Sequence, residues 1–218
     1  DLPYLEMDKA GILFDAEGTT AALGLDFDQV FARTLTSYAP TADGKSHGKT
    51  GSDIERILAF HAVGRQDPFP YVGGWDAVLK HALAEDQRHR AKALAERLTP
   101  LQWHVTQEAG TERAFTGEFW NTTQKGSYAC ICCGKLLFDD TQKFSSGCGW
   151  PSFHTELTRA RIHRLVDRTH GMIRTEVRCS TCDAHLGHVF DDGPRQHGGE
   201  RYCINSASLT FIPEEEQA

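Results

Sequence analysis

Apolar residues recur at helical spacing along the first part of the chain. The pattern predicts a helix over residues 26–38, a second helix that Ser52 caps and that runs through residue 62, and a third over residues 75–98. A short apolar run at residues 10–14 predicts one buried strand before them. Pro100 should end the third helix, because proline has no amide hydrogen and restricts the residue before it. This part is therefore predicted to be mainly helical.

The pattern changes from about Tyr128 onward, where short β-like runs are separated by glycine, proline and Asp-Gly turns. Residues 164–166 and 172–177 predict a hairpin around the segment 167–171. Residues 206–211 alternate between apolar and polar positions and predict a further strand. This part is therefore predicted to be mainly β.

The change of pattern divides the chain into two predicted domains. The third helical stretch turns very polar at residues 85–90, and all seven cysteines lie beyond residue 129. We therefore expect a mainly helical segment at residues 1–90 and a mainly β domain at residues 91–218.

Charge and cysteine usage narrow the class of protein. The net charge of −7 argues against a nucleic-acid partner, which requires clustered basic residues. The chain has no run of 18 apolar residues, so no membrane partner is predicted. An odd number of cysteines suits metal and redox chemistry better than a secreted disulfide framework. A reducing, cytoplasmic compartment is the expectation.

Four of the cysteines form two CxxC pairs, Cys130 with Cys133 and Cys179 with Cys182. Two such pairs complete the tetrahedral shell of four thiolates that structural zinc prefers. In the alternative, one pair is a thioredoxin-like redox motif, but neither pair follows a βαβ pattern. We therefore predict a structural zinc site, with Cys132 as a spare thiol in the first turn.

Two further thiols remain, Cys148 and Cys203. Arg201 precedes Cys203 by two positions and would share its face of an extended strand, where positive charge favours the reactive thiolate. Cys148 lies between two glycines, which give its loop the freedom that a resolving thiol requires. In the alternative, both are unrelated buried cysteines that act as small hydrophobic residues. The polar neighbours of Cys203, Arg201 and Asn205, favour a redox role.

Two histidines, His185 and His188, directly follow the second CxxC pair, with Asp192 soon after. This grouping favours a proton donor with orienting partners over an isolated structural histidine. A metal-binding role is less favoured, because four cysteines already complete a zinc shell. Trp150 either belongs to the core or forms the wall of an apolar slot for a methyl or thioether group.

Residues 97–213 closely resemble the B-type methionine sulfoxide reductases. The matching stretches are residues 110–117, 147–153, 185–192 and 201–209. The resemblance implies a compact domain of two antiparallel sheets that zinc closes at one end. It also implies a substrate, the R epimer of methionine sulfoxide, mostly within proteins.

The resemblance further implies a role for each candidate residue. Cys203 would attack the sulfoxide sulfur and become a sulfenic acid, and Cys148 would resolve it as a disulfide that a thioredoxin-like partner reduces. His185 and His188 would donate the proton that lets the oxygen leave. The remaining candidates would polarise and position the substrate or hold its methyl group: Arg201, Asp192 and Asn205 for the first task, and Trp150 for the second.

Two non-enzymatic alternatives remain at this level. One is a zinc-bound β module that binds a peptide or small molecule in the same aromatic pocket, and the other is a nucleic-acid-binding zinc ribbon. A pure binding module has no use for Cys148 together with Cys203, and the acidic charge disfavours the ribbon.

Residues 8–85 resemble the beginning of a haloacid-dehalogenase-type phosphatase. The matching stretches are residues 12–19, 48–54 and 70–75. Asp15 falls at the position of the nucleophile, and Glu17 stands where a second aspartate is usual. Phosphoryl transfer depends on positioned cations, and the later segments that hold phosphate and magnesium have no match. We therefore expect an inactive remnant that acts as a helical appendage or a partner surface.

Overall fold

The computed structural model describes residues 16, 18–34, 36, 40–158 and 161–214. The chain forms two compact units, one ending at Glu96 and the other beginning at Arg97. The predicted strand at residues 10–14 lies outside the described residues, as does Asp15. The polar run at residues 85–90, where the sequence predicts the junction, lies inside a helix that continues to Arg97.

After helical residues at positions 18–22, the helices whose bounds are fully described are α1 (Phe27–Phe31), α2 (Gly51–Ala62) and α3 (Trp75–Arg97). The prediction of one helix over residues 26–38 is wrong in length, because α1 ends at Phe31. The guanidinium of Arg56 binds the carbonyl oxygens of Phe31 and Thr34 at 2.9 and 3.1 Å. These carbonyls are therefore satisfied from outside the helix, which removes the need for a further turn.

The start of α2 also differs from the prediction, because Thr50 and not Ser52 caps it. The Thr50 hydroxyl accepts a hydrogen bond from the Asp53 amide at 3.2 Å, and the Asp53 carboxylate accepts one from the Thr50 amide at 3.3 Å. This reciprocal pair is a capping box, which satisfies two amides that a single Ser52 cap would leave open.

The first unit has an apolar core with one charged cluster beside it. Six buried residues form this core: Ile54, Ile57, Leu58, Tyr71, Val78 and Ala82. Asp67, only 2% exposed, accepts hydrogen bonds from Arg56 at 2.5 Å and from the Tyr71 hydroxyl at 2.6 Å. Every group of this cluster is paired, so its role is structural.

The second unit begins with α4 (Pro100–Gln107). Pro100 was predicted to end the preceding helix, and it also begins the next one. The Thr99 side chain accepts a hydrogen bond from the Gln102 backbone amide at 3.3 Å, and the Gln102 side-chain oxygen accepts one from the Thr99 backbone amide at 2.9 Å. Proline fits the first turn of a helix because its missing N–H has no partner there.

Two antiparallel sheets form the rest of this unit, as predicted. Their strands are β1 (Gly126–Cys130), β2 (Leu136–Asp139), β3 (Lys143–Phe144), β4 (Ser152–Phe153), β5 (Ile162–Asp167), β6 (Arg174–Cys179), β7 (His185–Phe190), β8 (Arg201–Ile204) and β9 (Leu209–Pro213). The smaller sheet has the order β2-β1-β9, and the larger has the order β3-β4-β8-β7-β6-β5. The mainly β class is therefore confirmed.

The predicted hairpin is confirmed as β5 and β6, which pair from Ile162 with Cys179 to Asp167 with Arg174. The predicted strand over residues 206–211 is wrong in its first half, where residues 206–208 form a 3-10 turn before β9. The carboxylate of Glu112 accepts the backbone N–H groups of Ser206 and Ala207 and so takes them out of strand pairing.

Successive side chains of β8 point alternately toward the core and toward the candidate active site. Tyr202 and Ile204 are buried, whereas Arg201 and Cys203 on the opposite face are partly exposed. The aromatic core beneath them includes Phe138 stacked on Phe153, with ring centroids 4.2 Å apart. Packing of Tyr202 into this core therefore fixes the direction in which Cys203 points.

Candidate active site and metal centre

The four CxxC cysteines come together from turns of both sheets. Cys130 ends β1, Cys179 ends β6, and each is followed by a tight turn. In both turns the fourth residue after the first cysteine, Gly134 or Asp183, donates its N–H to that cysteine's carbonyl, at 2.8 and 2.9 Å. Both residues have left-handed φ angles, 73° and 58°. The two CxxC units are thus conformational equivalents, although only the first has glycine at that position.

The four sulfur atoms have the spacing of a tetrahedral metal shell. All lie within 4.8 Å of one another, and the contacts Cys130–Cys182 and Cys133–Cys179 measure 3.6 Å. Four sulfurs that each lie ~2.3 Å from a zinc ion would be roughly 3.8 Å apart. The predicted cluster is therefore present, and its donor set fits zinc.

Cys132, predicted to be a spare thiol, is not one of these four ligand atoms. It is 8% exposed, and its sulfur accepts a hydrogen bond from the Gln107 side chain at 3.5 Å. The Arg97 guanidinium donates to its carbonyl oxygen at 2.6 Å. Cys132 therefore joins the first CxxC turn to α4.

The two remaining thiols are in contact. The Sγ atoms of Cys148 and Cys203 are 3.8 Å apart, although the residues are 55 positions apart in the chain. Pairing of β4 with β8 sets this distance, because Ser152 lies opposite Cys203 and the loop before β4 carries Cys148. A disulfide has an S–S length near ~2.05 Å, so a small movement of one loop would be enough to close the bond.

Two serine hydroxyls surround the Cys148 sulfur. Ser146 Oγ lies 3.0 Å and Ser152 Oγ lies 3.5 Å from it, and the two hydroxyls are 2.7 Å apart. Partial burial works against ionisation, but the hydrogen bonds from Ser146 and Ser152 outweigh it and lower the pKa of the Cys148 thiol. Neither serine was identified from the sequence, since only the chain's fold brings them to the sulfur.

The pKa of the Cys203 thiol is shifted in the opposite direction while Cys148 lies beside it. Burial, followed by the charge of Cys148, raises the pKa of the Cys203 thiol to about 12, and Arg201 opposes both. The sequence predicts the lowering effect of Arg201, but burial and the neighbouring thiol exceed it. Two negative charges 3.8 Å apart are disfavoured, so ionisation of Cys148 opposes ionisation of Cys203.

Arg201 is fixed beside the thiol pair by two contacts. Asp192 binds it in a bidentate manner, with Nε and Nη2 at 2.8 and 2.9 Å from the two carboxylate oxygens. The guanidinium carbon also lies 4.8 Å from the centroid of the Phe190 ring. Pairing with Arg201 lowers the pKa of the Asp192 carboxyl, which therefore stays ionised.

A β-bulge brings the two histidines to one face of β7. Residues three apart on a regular strand face opposite sides, but Val177 pairs with Gly187 and Arg178 pairs with His185, so Leu186 is an extra residue. As a result, the rings of His185 and His188 are 5.6 Å apart.

Asn205 secures this bulge. Its side-chain amide donates to the Leu186 carbonyl at 3.0 Å, and its backbone amide donates to the same oxygen at 2.9 Å. In this structure, therefore, Asn205 holds the segment that carries the histidines.

Both histidines bind carboxylates that the sequence reasoning missed. The distance from His188 Nε2 to Asp167 Oδ2 is 2.9 Å, and that from His185 Nδ1 to Glu176 Oε1 is 2.6 Å. Burial lowers the pKa of His185 even though Glu176 opposes the shift. The predicted hairpin was the available signal, since Asp167 and Glu176 both lie on it.

A cavity of about 120 Å³ opens beside Cys203. Four predicted site residues line it, namely Trp150, His188, Cys203 and Asn205. Thr111, Arg174 and Phe190 also line it and were not predicted. The other predicted residues lie around it: Cys148 contacts Cys203, Asp192 and Arg201 pair with each other, and His185 is 2% exposed.

Buried hydrogen bonds from Glu112 hold several of these residues in place. It is 2% exposed, and its carboxylate accepts from the amides of Ser206 and Ala207 at 2.7 and 2.8 Å. Its own amide donates to the Asn205 side chain at 3.0 Å, and its carbonyl accepts from the Trp150 indole at 3.1 Å. One buried residue thus orients two residues of the cavity wall.

We expect Glu112→Ala to lower the free energy of unfolding by about 2–6 kcal/mol, since each of two buried amides left without an acceptor costs about 1–3 kcal/mol. Urea denaturation followed by tryptophan fluorescence would measure the change. The control is Glu108→Ala, because Glu108 is 55% exposed and, among the described residues, forms a surface ion pair with His104. Equal stability of the two variants would contradict the anchoring role.

A pair of thiols in contact, next to histidines that bind carboxylates, is an arrangement suited to thiol-based redox chemistry. Residues 98–213 match the family model described as the SelR domain. A relative from Burkholderia ambifaria, named peptide methionine sulfoxide reductase MsrB, is 58% identical over 118 residues, which cover 54% of this chain and 82% of the relative. A relative of the same name from Cellvibrio japonicus is 50% identical over 133 residues, which cover 61% of this chain and 94% of the relative.

The chain therefore belongs to the SelR-domain family of these reductases, and the predicted resemblance to B-type methionine sulfoxide reductases is confirmed.

The resemblance of the first unit to a phosphatase stays a prediction, since its nucleophile position, Asp15, lies outside the described residues. A search of the described residues for an apolar helix of membrane-spanning length found none.

Proposed function

We propose that this chain reduces the R epimer of methionine sulfoxide within proteins to methionine, with Cys203 as nucleophile and Cys148 as resolving thiol. Family membership supports methionine sulfoxide as the substrate. The single observation that carries the mechanism is the 3.8 Å contact between the two sulfur atoms.

In the first step Cys203 attacks the sulfoxide sulfur as a thiolate, while a histidine gives a proton to the sulfoxide oxygen. Arg201 favours this thiolate, and its formation requires Cys148 to be in the neutral thiol form, because the charge of an ionised Cys148 opposes it. The sulfur–oxygen bond of the substrate breaks, two electrons pass from the cysteine to the substrate, and methionine leaves. Cys203 keeps the oxygen as a sulfenic acid. A protonated oxygen leaves more easily than an oxide, which supports roles for His188 at the cavity and His185 behind it.

In the second step Cys148 attacks the sulfur of the sulfenic acid, and its oxygen leaves as water. The serine hydroxyls that favour the ionised form of Cys148 support this role, because the thiolate is the attacking species. The product is a Cys148–Cys203 disulfide. A thioredoxin-like dithiol then reduces it by thiol–disulfide exchange and restores both thiols.

The cavity supports a substrate with a small apolar end beside a polar oxygen. Trp150 supplies an aromatic wall, and its indole N–H is already used by the Glu112 carbonyl, so its ring is left for the methyl group. Arg201 and Asp192 supply fixed charge near Cys203, which suits the polar transition state.

The four-cysteine site would hold zinc in a structural role. Four thiolates fill a tetrahedral shell and leave no position for water or substrate, so zinc would supply cross-linking and no catalysis. Since Cys130 belongs to the smaller sheet and Cys179 to the larger, the ion would tie the two sheets together.

The test is a single-turnover assay without reductant, in which the R and S epimers of methionine sulfoxide are supplied separately. We expect about one methionine per chain from the R epimer alone, because one thiol pair supplies two electrons. Mass spectrometry of the alkylated protein should show that Cys148 and Cys203 are consumed together. Folded, metal-loaded protein that forms methionine from neither epimer would overturn the proposal and favour a binding module.

A further inference from the structure

The β5–β6 hairpin supplies a carboxylate to each histidine, but only one of these pairs reaches the cavity. His188 binds Asp167 and lines the cavity together with Cys203. His185 binds Glu176 and is only 2% exposed. The Asp167–His188 pair is therefore the one in a position to act on a molecule that occupies the cavity.

The Asp167 carboxylate is held rigidly at the end of β5. The Thr169 amide and hydroxyl donate to its Oδ1 at 2.8 and 2.7 Å, and Arg174 Nη2 lies 2.5 Å from its Oδ2. These hydrogen bonds from Thr169, together with those from His188 and Arg174, hold the pKa of the Asp167 carboxyl well below its usual range. Asp167 is therefore a carboxylate at any working pH.

An ionised carboxylate can only accept hydrogen bonds, so Nε2 of His188 must carry the hydrogen in this contact. Nδ1 is then the nitrogen of His188 that is left to serve a ligand. The remaining charged groups that surround the ring are Arg174 and Glu176 on β6, His185 on β7 and Cys203 on β8.

We propose that Asp167 is a positioning residue, which fixes His188 with Nε2 protonated and directs proton donation from Nδ1 to the sulfoxide oxygen. The proposal rests on the proposed function. In the step, the proton passes from Nδ1 to the oxygen, the sulfur–oxygen bond breaks with electrons from the Cys203 thiolate, and Asp167 stays ionised. His188 is then neutral, and a proton from solvent restores it.

The experiment uses the full, metal-loaded chain and compares Asp167→Asn with the wild type in single-turnover reduction of the R epimer. We expect the rate to fall about 100-fold, the lower end of what a positioned general acid contributes, while the substrate concentration at half-maximal rate changes less than about twofold. The loss appears in the chemical step because Asp167 is not among the residues that line the cavity, whereas His188 is.

The chain offers a matched control in Asp139, which ends β2 as Asp167 ends β5. Its Oδ1 accepts from the Thr141 amide and hydroxyl at 2.9 and 2.5 Å, so Asp139→Asn perturbs the same kind of turn. No contact with a histidine is found for Asp139 among the described residues. We expect Asp139→Asn to keep the wild-type rate, and an equal loss in both variants would overturn the proposal.

A second readout separates positioning from general stability. Nitrogen-15 NMR of histidine-labelled protein should show a protonated Nε2 for His188 in the wild type and a mixture of tautomers in Asp167→Asn. An unchanged His188 signal, or a wild-type rate in Asp167→Asn, would overturn the proposal. If the wild type itself forms no methionine, the proposed function fails, and the NMR signal still decides whether Asp167 fixes the tautomer.

Discussion

Cys203→Ser is expected to abolish methionine formation completely, because serine has no sulfur that can take the sulfoxide oxygen as a sulfenic acid. Cys148→Ser is expected to form about one methionine per chain and then stop, since Cys203 would remain as a sulfenic acid without its resolving thiol. The two sulfurs are only 3.8 Å apart, yet the two variants should fail at different steps.

Single-turnover and thioredoxin-driven assays, run side by side on both variants, would measure this difference. Dimedone labelling should trap the sulfenic acid at Cys203 in Cys148→Ser and show none in Cys203→Ser. Cys132→Ser is the control, because Cys132 belongs neither to the thiol pair nor to the four-sulfur cluster. Loss of the first turnover in Cys148→Ser to the same extent as in Cys203→Ser would contradict the resolving role.

Removal of the metal is expected to unfold the β unit. Structural zinc contributes about 10–16 kcal/mol in small zinc peptides, whereas whole domains are stable by only about 5–15 kcal/mol. Cys179→Ser should have the same effect, because Cys179 is a buried member of the four-sulfur cluster and ends β6. Its loss would leave three sulfurs and release the turn between β6 and β7.

Thermal unfolding followed by circular dichroism, with zinc counted by elemental analysis, would test this expectation. We expect one zinc per chain in the wild type and loss of the cooperative β transition once a chelator has removed it. Cys203→Ser serves as the matched thiol control, since it removes a cysteine outside the cluster and should keep both the metal and the transition. An unchanged melting temperature after verified zinc removal would show that the sheets do not depend on the ion.

Many candidate residues can be found from the sequence because their chemistry is local. Two CxxC pairs predict a shell of four sulfur atoms, because each pair supplies two ligands from a single turn. The four sulfur atoms do lie together in the structure. Once those four are assigned, few thiols remain for redox chemistry, and Cys148 and Cys203 do meet. Alternation along a short strand also predicts that Arg201 and Cys203 share a face, which β8 shows.

Other features depend on contacts between distant parts of the chain. Glu112 lies more than ninety residues before the amides that it binds, so no local pattern marks it as an anchor. The serines around Cys148 and the carboxylates of Asp167 and Glu176 become partners only after the strands pair. The Glu112 carboxylate also takes the Ser206 amide from strand pairing, so residues 206–208 form a turn where the sequence predicts a strand.

The two histidines show most clearly which properties the sequence determines and which the tertiary structure decides. The sequence by itself determined which residue types are present for acid chemistry, and it placed His185 and His188 three positions apart. On a regular strand that spacing would turn them to opposite faces. Only the bulge at Leu186, whose carbonyl Asn205 binds, turns both toward one side. Residue chemistry is a property of the sequence, whereas side-chain direction depends on strand register, which long-range pairing decides.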